Sequence, residues 1–289
     1  MKLPPLEYAC PATLDEAVAL LAAHDGNAKA IAGGQSLMPM LAFRLTAPSL
    51  LVDLRKLAHL REIKISGDGV RLGALVRWRD IEDDERLTRA HPLLKAAVAH
   101  VAHYQIRNRG TVGGSMAHAD PAAEMPGIAV TCEAEITAVG KSNSRVIAAA
   151  NFCLGALTTA LESDEIITEI RLPPWPAERR WGFQEFARRR GDFAMAGAAV
   201  FYDQDGAGMA RNAHVGIIGV GDRPRRLGEV EAALDGRVID EAAMARAAEV
   251  TSAVVDAQED IHASAAYRRS LAGTMVERAL LDARARSQS

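Results

Sequence analysis

Two short glycine-rich segments limit most strongly how this chain can fold: Ala32-Gly33-Gly34-Gln35-Ser36 and Thr111-Val112-Gly113-Gly114-Ser115. Adjacent glycines allow positive φ and let backbone approach another group closely. Successive N–H groups in such turns form an anion-binding concavity, and a serine or threonine hydroxyl adds a donor. One Gly-Gly corner needs no purpose beyond the turn. Two of like make-up, each running into serine, suit the two sides of one diphosphate.

The flanking sequence places these segments. Thr13-Leu14-Asp15-Glu16 reads as a capping box, and Leu14, Ala17, Val18 and Leu21 mark one face of the helix it opens. Residues 28–32 read as a strand, with another helix starting near Ser36, so the first glycine segment joins a strand to a helix. Leu50 to Leu54 reads as a buried strand, and Lys64 to Leu72 as a hairpin turning at Gly67-Asp68-Gly69. A helix is expected from Pro92 to Ala102, before the second glycine segment, read as a loop. Asp120-Pro121 has the character of an N-cap and first helical residue. That start would put Asp120 and Glu124 on one helix face, as acceptors for ribose or ribityl hydroxyls or simply as a cap and a solvated acid.

Further on, Glu135 to Val139 and Arg145 to Ala149 form a second hairpin, and Ile166 to Leu172 a strand. The cluster Pro173-Pro174-Trp175-Pro176 marks a domain boundary. Three strands follow (182–187, 196–202, 214–219), then helices at 229–234, 241–252 and 265–284. The pattern is α+β.

Composition narrows the function. The chain has 289 residues, a net charge of −3 and 49% hydrophobic residues, which suits two globular domains and argues against a nucleic-acid binder. Cys10, Cys132 and Cys153 are far apart, so no iron–sulfur cluster or zinc ribbon held by this chain alone is expected. No apolar run reaches the roughly 18 residues of a membrane span, and a cytoplasmic location is expected. Gly140-Lys141-Ser142 is no P-loop, because the required earlier glycine is Glu135; Gly219-Val220-Gly221 is no Rossmann fingerprint, because position 224 is Pro. His100 and His103 read as a packed or surface pair rather than metal ligands, and Arg188-Arg189-Arg190 as a solvated basic run that could also meet an acidic partner or a phosphate.

Five longer stretches carry a resemblance: AIAGGQSLMPML (30–41), QIRNRGTVGGSMAHADPAAEMP (105–126), SDEIITEIRLP (163–173), RRRGDFAMAGAAV (188–200) and YRRSLAGTMVERAL (267–280). Together they resemble the FAD-binding medium subunit of the molybdenum hydroxylases, the family of carbon monoxide, xanthine and N-heterocycle dehydrogenases. The resemblance implies a vanillyl-alcohol-oxidase-like (PCMH-type) FAD-binding domain of two α/β subdomains over residues 1–176. A C-terminal domain with a three-stranded sheet and helices would cover 177–289. Both glycine segments, Ala32, Gly33, Gly34, Gln35, Ser36 and Thr111, Val112, Gly113, Gly114, Ser115, would cradle the FAD diphosphate. Glu124 falls where an acid contacts FAD, with Asp120 close by and His118 in the same lining. Ile167 would pack near the adenine and Phe193 beside the isoalloxazine. Relatives often carry Lys near Gln184 or Glu185; neither position is Lys here, so no lysine contact is carried over.

The resemblance assigns this chain no catalytic or metal-ligating residue. It implies a large subunit with a molybdenum–pterin cofactor and a small subunit with two [2Fe–2S] clusters, in a dimer of heterotrimers. FAD on this chain would pass electrons from the clusters to an external acceptor. The substrate pocket would lie on the large subunit, with Arg189 to Ala194 inclining the reading toward N-heterocyclic or aromatic substrates. The alternative is a free-standing FAD-dependent oxidoreductase, which the lack of an evident acid/base set counts against.

Overall fold

A computed structural model describes residues 3–286. The N-terminal part holds two sheets. The first is parallel, in the order β1 (Glu7–Ala9), β3 (Leu50–Asp53), β2 (Ala28–Ile31). Its central strand, LLVD, is buried throughout, as a parallel strand covered on both faces must be. Helix α1 (Leu14–Ala23) covers this sheet with Ala17, Val18 and Leu21. The capping box forms as read: Thr13 Oγ1 accepts from the Glu16 N–H, and Glu16 Oε2 accepts from the Thr13 N–H. Helix α2 (Leu37–Ala42) follows β2.

The second sheet is five-stranded and antiparallel, in the order β4 (Ile63–Ser66), β5 (Gly69–Gly73), β10 (Ile166–Leu172), β6 (Glu135–Val139), β7 (Ser144–Ala148). Both expected hairpins, β4–β5 and β6–β7, are present. Between β5 and β6 lie six helices: α3 (Trp78–Asp83), α4 (Leu87–Ala90), α5 (Pro92–Val98), α6 (Tyr104–Arg107), α7 (Val112–His118) and α8 (Glu124–Thr131). A small hairpin, β8 (Cys153–Gly155) and β9 (Thr158–Thr159), precedes β10.

Three local expectations need correction. Helix α5 stops at Val98 rather than Ala102, and Ala102 turns left-handed at φ 40°. The second glycine pair is not a loop: Gly113 and Gly114 form the first turn of α7, behind Thr111 as N-cap. Nor does a helix start at Asp120-Pro121. Ala119 closes α7 at φ 50°, Asp120 Oδ1 accepts from the Ala122 N–H at 2.8 Å in a local turn, and helix resumes only at Glu124. Asp120 therefore precedes the helix that carries Glu124 instead of sharing a face with it.

The C-terminal part is an antiparallel meander, β11 (Arg180–Phe186), β12 (Ala196–Gln204) and β13 (Ala210–Ile218), packed on α9 (Gly228–Leu234), α10 (Glu241–Val254) and α11 (Ala265–Ala285). The three expected strands are joined by a fourth, the two-residue β14 (Arg225–Arg226). One apolar core crosses from the five-stranded sheet to the meander through Phe183, Ala199, Phe201 and Ile218. An aromatic stack seals the junction. The His91 and Trp175 rings lie 4.6 Å apart and those of Trp175 and Phe201 5.4 Å, while Phe201 stacks on His214 at 4.3 Å. The Arg179 guanidinium lies over both Trp175 and Phe201 and pairs with Asp203.

Candidate functional site: a cavity between the two parts of the chain

A cavity of about 1020 Å³ opens where both N-terminal subdomains meet the C-terminal part. The two glycine segments touch at its wall. A β-carbon on Gly33 would lie 2.2 Å from the Arg109 carbonyl oxygen and 2.9 Å from Gly110 Cα. Only glycine allows that approach. Gly34 has φ 74°, the left-handed region an L side chain resists.

The two segments differ in what they offer a ligand. In the first, the N–H groups of Gly33, Gly34, Gln35 and Ser36 meet no protein acceptor among the described residues, and all four residues line the cavity. In the second, the four amides from Val112 to Ser115 are all used. Val112 N–H donates to Val76, Gly113 N–H to Ala74, Gly114 N–H to Thr111 Oγ1 and Ser115 N–H to the Thr111 carbonyl. The second pair contributes close packing instead. A β-carbon on Gly113 would lie 2.5 Å from Ala74 Cβ, and one on Gly114 2.8 Å from Thr111 Oγ1. The hydroxyl-bearing Thr111 and Ser115 also line the space.

Of the residues singled out in the sequence, Ala32, Gly33, Gly34, Gln35 and Ser36 come together with Thr111, Gly113, Gly114 and Ser115. His118, Asp120 and Glu124 lie on the same wall, Ile167 enters from β10, and Phe193, 72% exposed, stands in the loop between β11 and β12. Val112 is the exception: its side chain is fully buried in the core, away from the cavity.

Electrostatics mark the acidic end. Burial pushes the Glu124 carboxyl up to about 7, with the charge of Asp120 adding to the effect and its own backbone N–H opposing it. Glu185, on β11, is pushed up to about 8 by burial and then by Glu124, and its Oε2 is buried with no hydrogen-bond partner among the described residues. Sequence reasoning missed Glu185, because nothing local marks a strand residue that meets Glu124 across the domain junction. It also missed Lys29, Asp260 and Arg268, which line the cavity. His100 and His103 pack as side chains: His100 lies 5.1 Å from the Phe183 ring, and His103 sits under Gly191.

This arrangement coincides with two family descriptions. Residues 4–175 match the FAD binding domain in molybdopterin dehydrogenase, and residues 181–283 match the CO dehydrogenase flavoprotein C-terminal domain. The chain belongs to the FAD-binding medium subunits of the molybdenum hydroxylases. This medium subunit is 37% identical over 283 residues to the alpha subunit of the 6-hydroxypseudooxynicotine dehydrogenase complex of Paenarthrobacter nicotinovorans, covering 98% of this chain and 96% of that one. It superposes with a TM-score of 0.93 and 40% identity on quinoline 2-oxidoreductase from Pseudomonas putida 86, covering 98% and 99% of the two chains. Against the carbon monoxide dehydrogenase of Hydrogenophaga pseudoflava the TM-score is 0.95 at 35% identity, covering 99% of each chain.

As a medium subunit it is part of an oxidoreductase and carries an FAD-binding domain. The residues present suit that cofactor. Four amides on one turn, unpaired among the described residues, match the acceptor oxygens of a diphosphate, and the half-buried Asp120 and Glu124 carboxyls can accept from hydroxyls.

Proposed function

We propose that this chain holds FAD in the cavity between its two parts and conducts electrons through it. The electrons come from [2Fe–2S] clusters on a partner small subunit and leave to an external acceptor. Substrate is oxidised on a partner large subunit at a molybdenum–pterin centre, within a cytoplasmic dimer of heterotrimers. The observation that carries this reading is the row of four N–H groups, Gly33 to Ser36, without acceptors among the described residues on the wall of a cavity of about 1020 Å³.

Each group of residues then has a task. The Gly33–Ser36 amides, with the Thr111 and Ser115 hydroxyls, bind the diphosphate. Asp120 and Glu124 take hydroxyls of the ribityl or ribose chain, and His118 lines the same stretch. Ile167 gives the adenine an apolar surface, and Phe193 covers one face of the isoalloxazine without donating a hydrogen bond. Bound there, FAD would supply the redox chemistry. The protein places it and excludes water from part of it.

On this reading the clusters and the molybdenum centre belong to the partners; among the described residues no three of His, Cys, Asp or Glu gather as metal ligands. No helix among them is long and apolar enough to cross a membrane. Domain limits of 1–176 and 177–289 follow the proline cluster. The quinoline and 6-hydroxypseudooxynicotine relatives support an N-heterocyclic or aromatic substrate for the complex.

Purification of the tagged chain from its native host tests the route. Two further chains, iron and molybdenum should co-purify with it, and substrate should reduce the flavin only in the assembled complex. Reduction of the isolated, metal-free chain by substrate would favour the free-standing enzyme.

A further inference from the structure

One buried cation has no part in the function described so far. Arg268 stands in the first turns of α11, is 7% exposed and lines the cavity. Its guanidinium donates to three separate segments. Nη1 donates to the Met195 carbonyl at 2.9 Å and to the Gly219 carbonyl at 2.5 Å, and Nη2 to Asp260 Oδ2 at 2.7 Å. Burying a charge is costly unless it is paired and hydrogen-bonded. Arginine answers that cost with a planar fork that reaches several acceptors at once.

Each of the three contacts leads to the cavity wall. Met195 lies two residues after Phe193, and its N–H closes the same loop onto the Phe186 carbonyl. Gly219, at φ 74°, is packed so closely that a β-carbon would lie 2.5 Å from the Ala194 carbonyl oxygen. Its N–H donates to the carbonyl of Pro121, inside the turn between Asp120 and Glu124. Asp260 holds the loop that follows α10, where its Oδ1 accepts from the N–H groups of His262 and Ala263. Thus one side chain of the C-terminal helix ties down the Phe193 loop, the acid-bearing turn of the N-terminal part and the 255–264 loop.

We propose that Arg268 is a positioning residue for the flavin: through Met195 it fixes Phe193, through Gly219 and Pro121 it fixes Asp120 and Glu124, and through Asp260 it holds the third wall against them. This rests on the FAD reading of the cavity. Phe193 is largely exposed, Asp120 stands in a turn and Glu124 is the first residue of α8, so none is placed by core packing alone. Loss of the guanidinium frees all three walls together.

The test uses the complete complex with Arg268→Gln, Arg268→Lys and Asp260→Asn. Asparagine keeps an Oδ1 acceptor for His262 and Ala263 but puts an NH2 donor in place of the Oδ2 that meets Arg268, removing both the charge and that hydrogen bond. Two readouts are taken: the rate of FAD release, from the rise in flavin fluorescence, and hydrogen–deuterium exchange of residues 119–124, 187–195 and 255–264. In Arg268→Gln release should rise roughly tenfold, the worth of a charge-assisted hydrogen bond. All three segments should exchange faster together while α1 stays unchanged. Arg268→Lys should restore part of the loss, and Asp260→Asn should show a smaller change in the same direction. If Arg268→Gln does not fold, the other two variants carry the same expectations. Release at the wild-type rate with unchanged exchange, in any folded variant set, overturns the proposal while leaving the FAD reading intact. A wild-type complex without flavin overturns both.

Discussion

Gly33 meets the backbone of Arg109 so closely that a β-carbon on Gly33 would sit 2.2 Å from the Arg109 carbonyl oxygen. The turn that offers free amides is thus braced against the segment leading into α7. Gly33→Val should drive the two apart and lower FAD occupancy in the purified complex at least tenfold, as measured by released flavin per chain; a well-packed contact that must open costs about 1–3 kcal/mol.

Gly113 behaves differently. Its missing side chain faces Ala74, not the cavity amides, and the residue is buried. Gly113→Val should therefore lower the melting temperature as well as the FAD content, with a stability loss of about 1–3 kcal/mol for overpacking. A scan showing FAD loss at unchanged melting temperature would contradict that placement.

Phe193 is 72% exposed. Phe193→Ala should leave protein stability within about 0.5 kcal/mol of the parent and most FAD in place, yet change the rate of flavin re-oxidation. Rapid mixing of reduced complex with acceptor measures it, and identical kinetics would remove Phe193 from the ring.

The acids predict a pH dependence. A carboxyl whose pKa is higher folded than unfolded gives stability that is full below the unfolded value, here 4.5, and is lost as pH rises through the folded value. Glu124 and Glu185, pushed up by burial to about 7 and about 8, both follow this sign. The flavin-free protein should melt several degrees lower at pH 8 than at pH 5. Glu185→Gln should flatten the fall, because it removes one buried charge and relieves Glu124. Thermal melts across that range decide it.

The junction stack gives a stability prediction. Trp175 bridges His91 and Phe201, with Arg179 over its ring. Trp175→Ala should cost about 2–4 kcal/mol and split a single unfolding transition toward two, as calorimetry would show.

What the sequence made legible was local. Thr13 and Glu16 form their capping box within four residues, and β4–β5 and β6–β7 are hairpins whose turns lie in the same stretch. The Gly113-Gly114 pair misled because glycine suits a turn, whereas here Thr111 caps a helix through it, and Ala74 leaves no room for a side chain on Gly113, nor Thr111 Oγ1 for one on Gly114. Asp120-Pro121 misled because the Asp120 carboxylate serves a local turn instead of a helix. Glu185 and Arg268 were out of reach: their partners lie 61 and 49–73 positions away or across the junction, where no spacing rule reaches.

The most direct measurement is of the flavin itself. The complex purified from its native host is denatured, and the released cofactor is identified by chromatography and counted against this chain. About one FAD per chain, lost on Gly33→Val, is the predicted result. An intact complex that yields no flavin, or the same FAD content with Gly33→Val in place, would contradict the account.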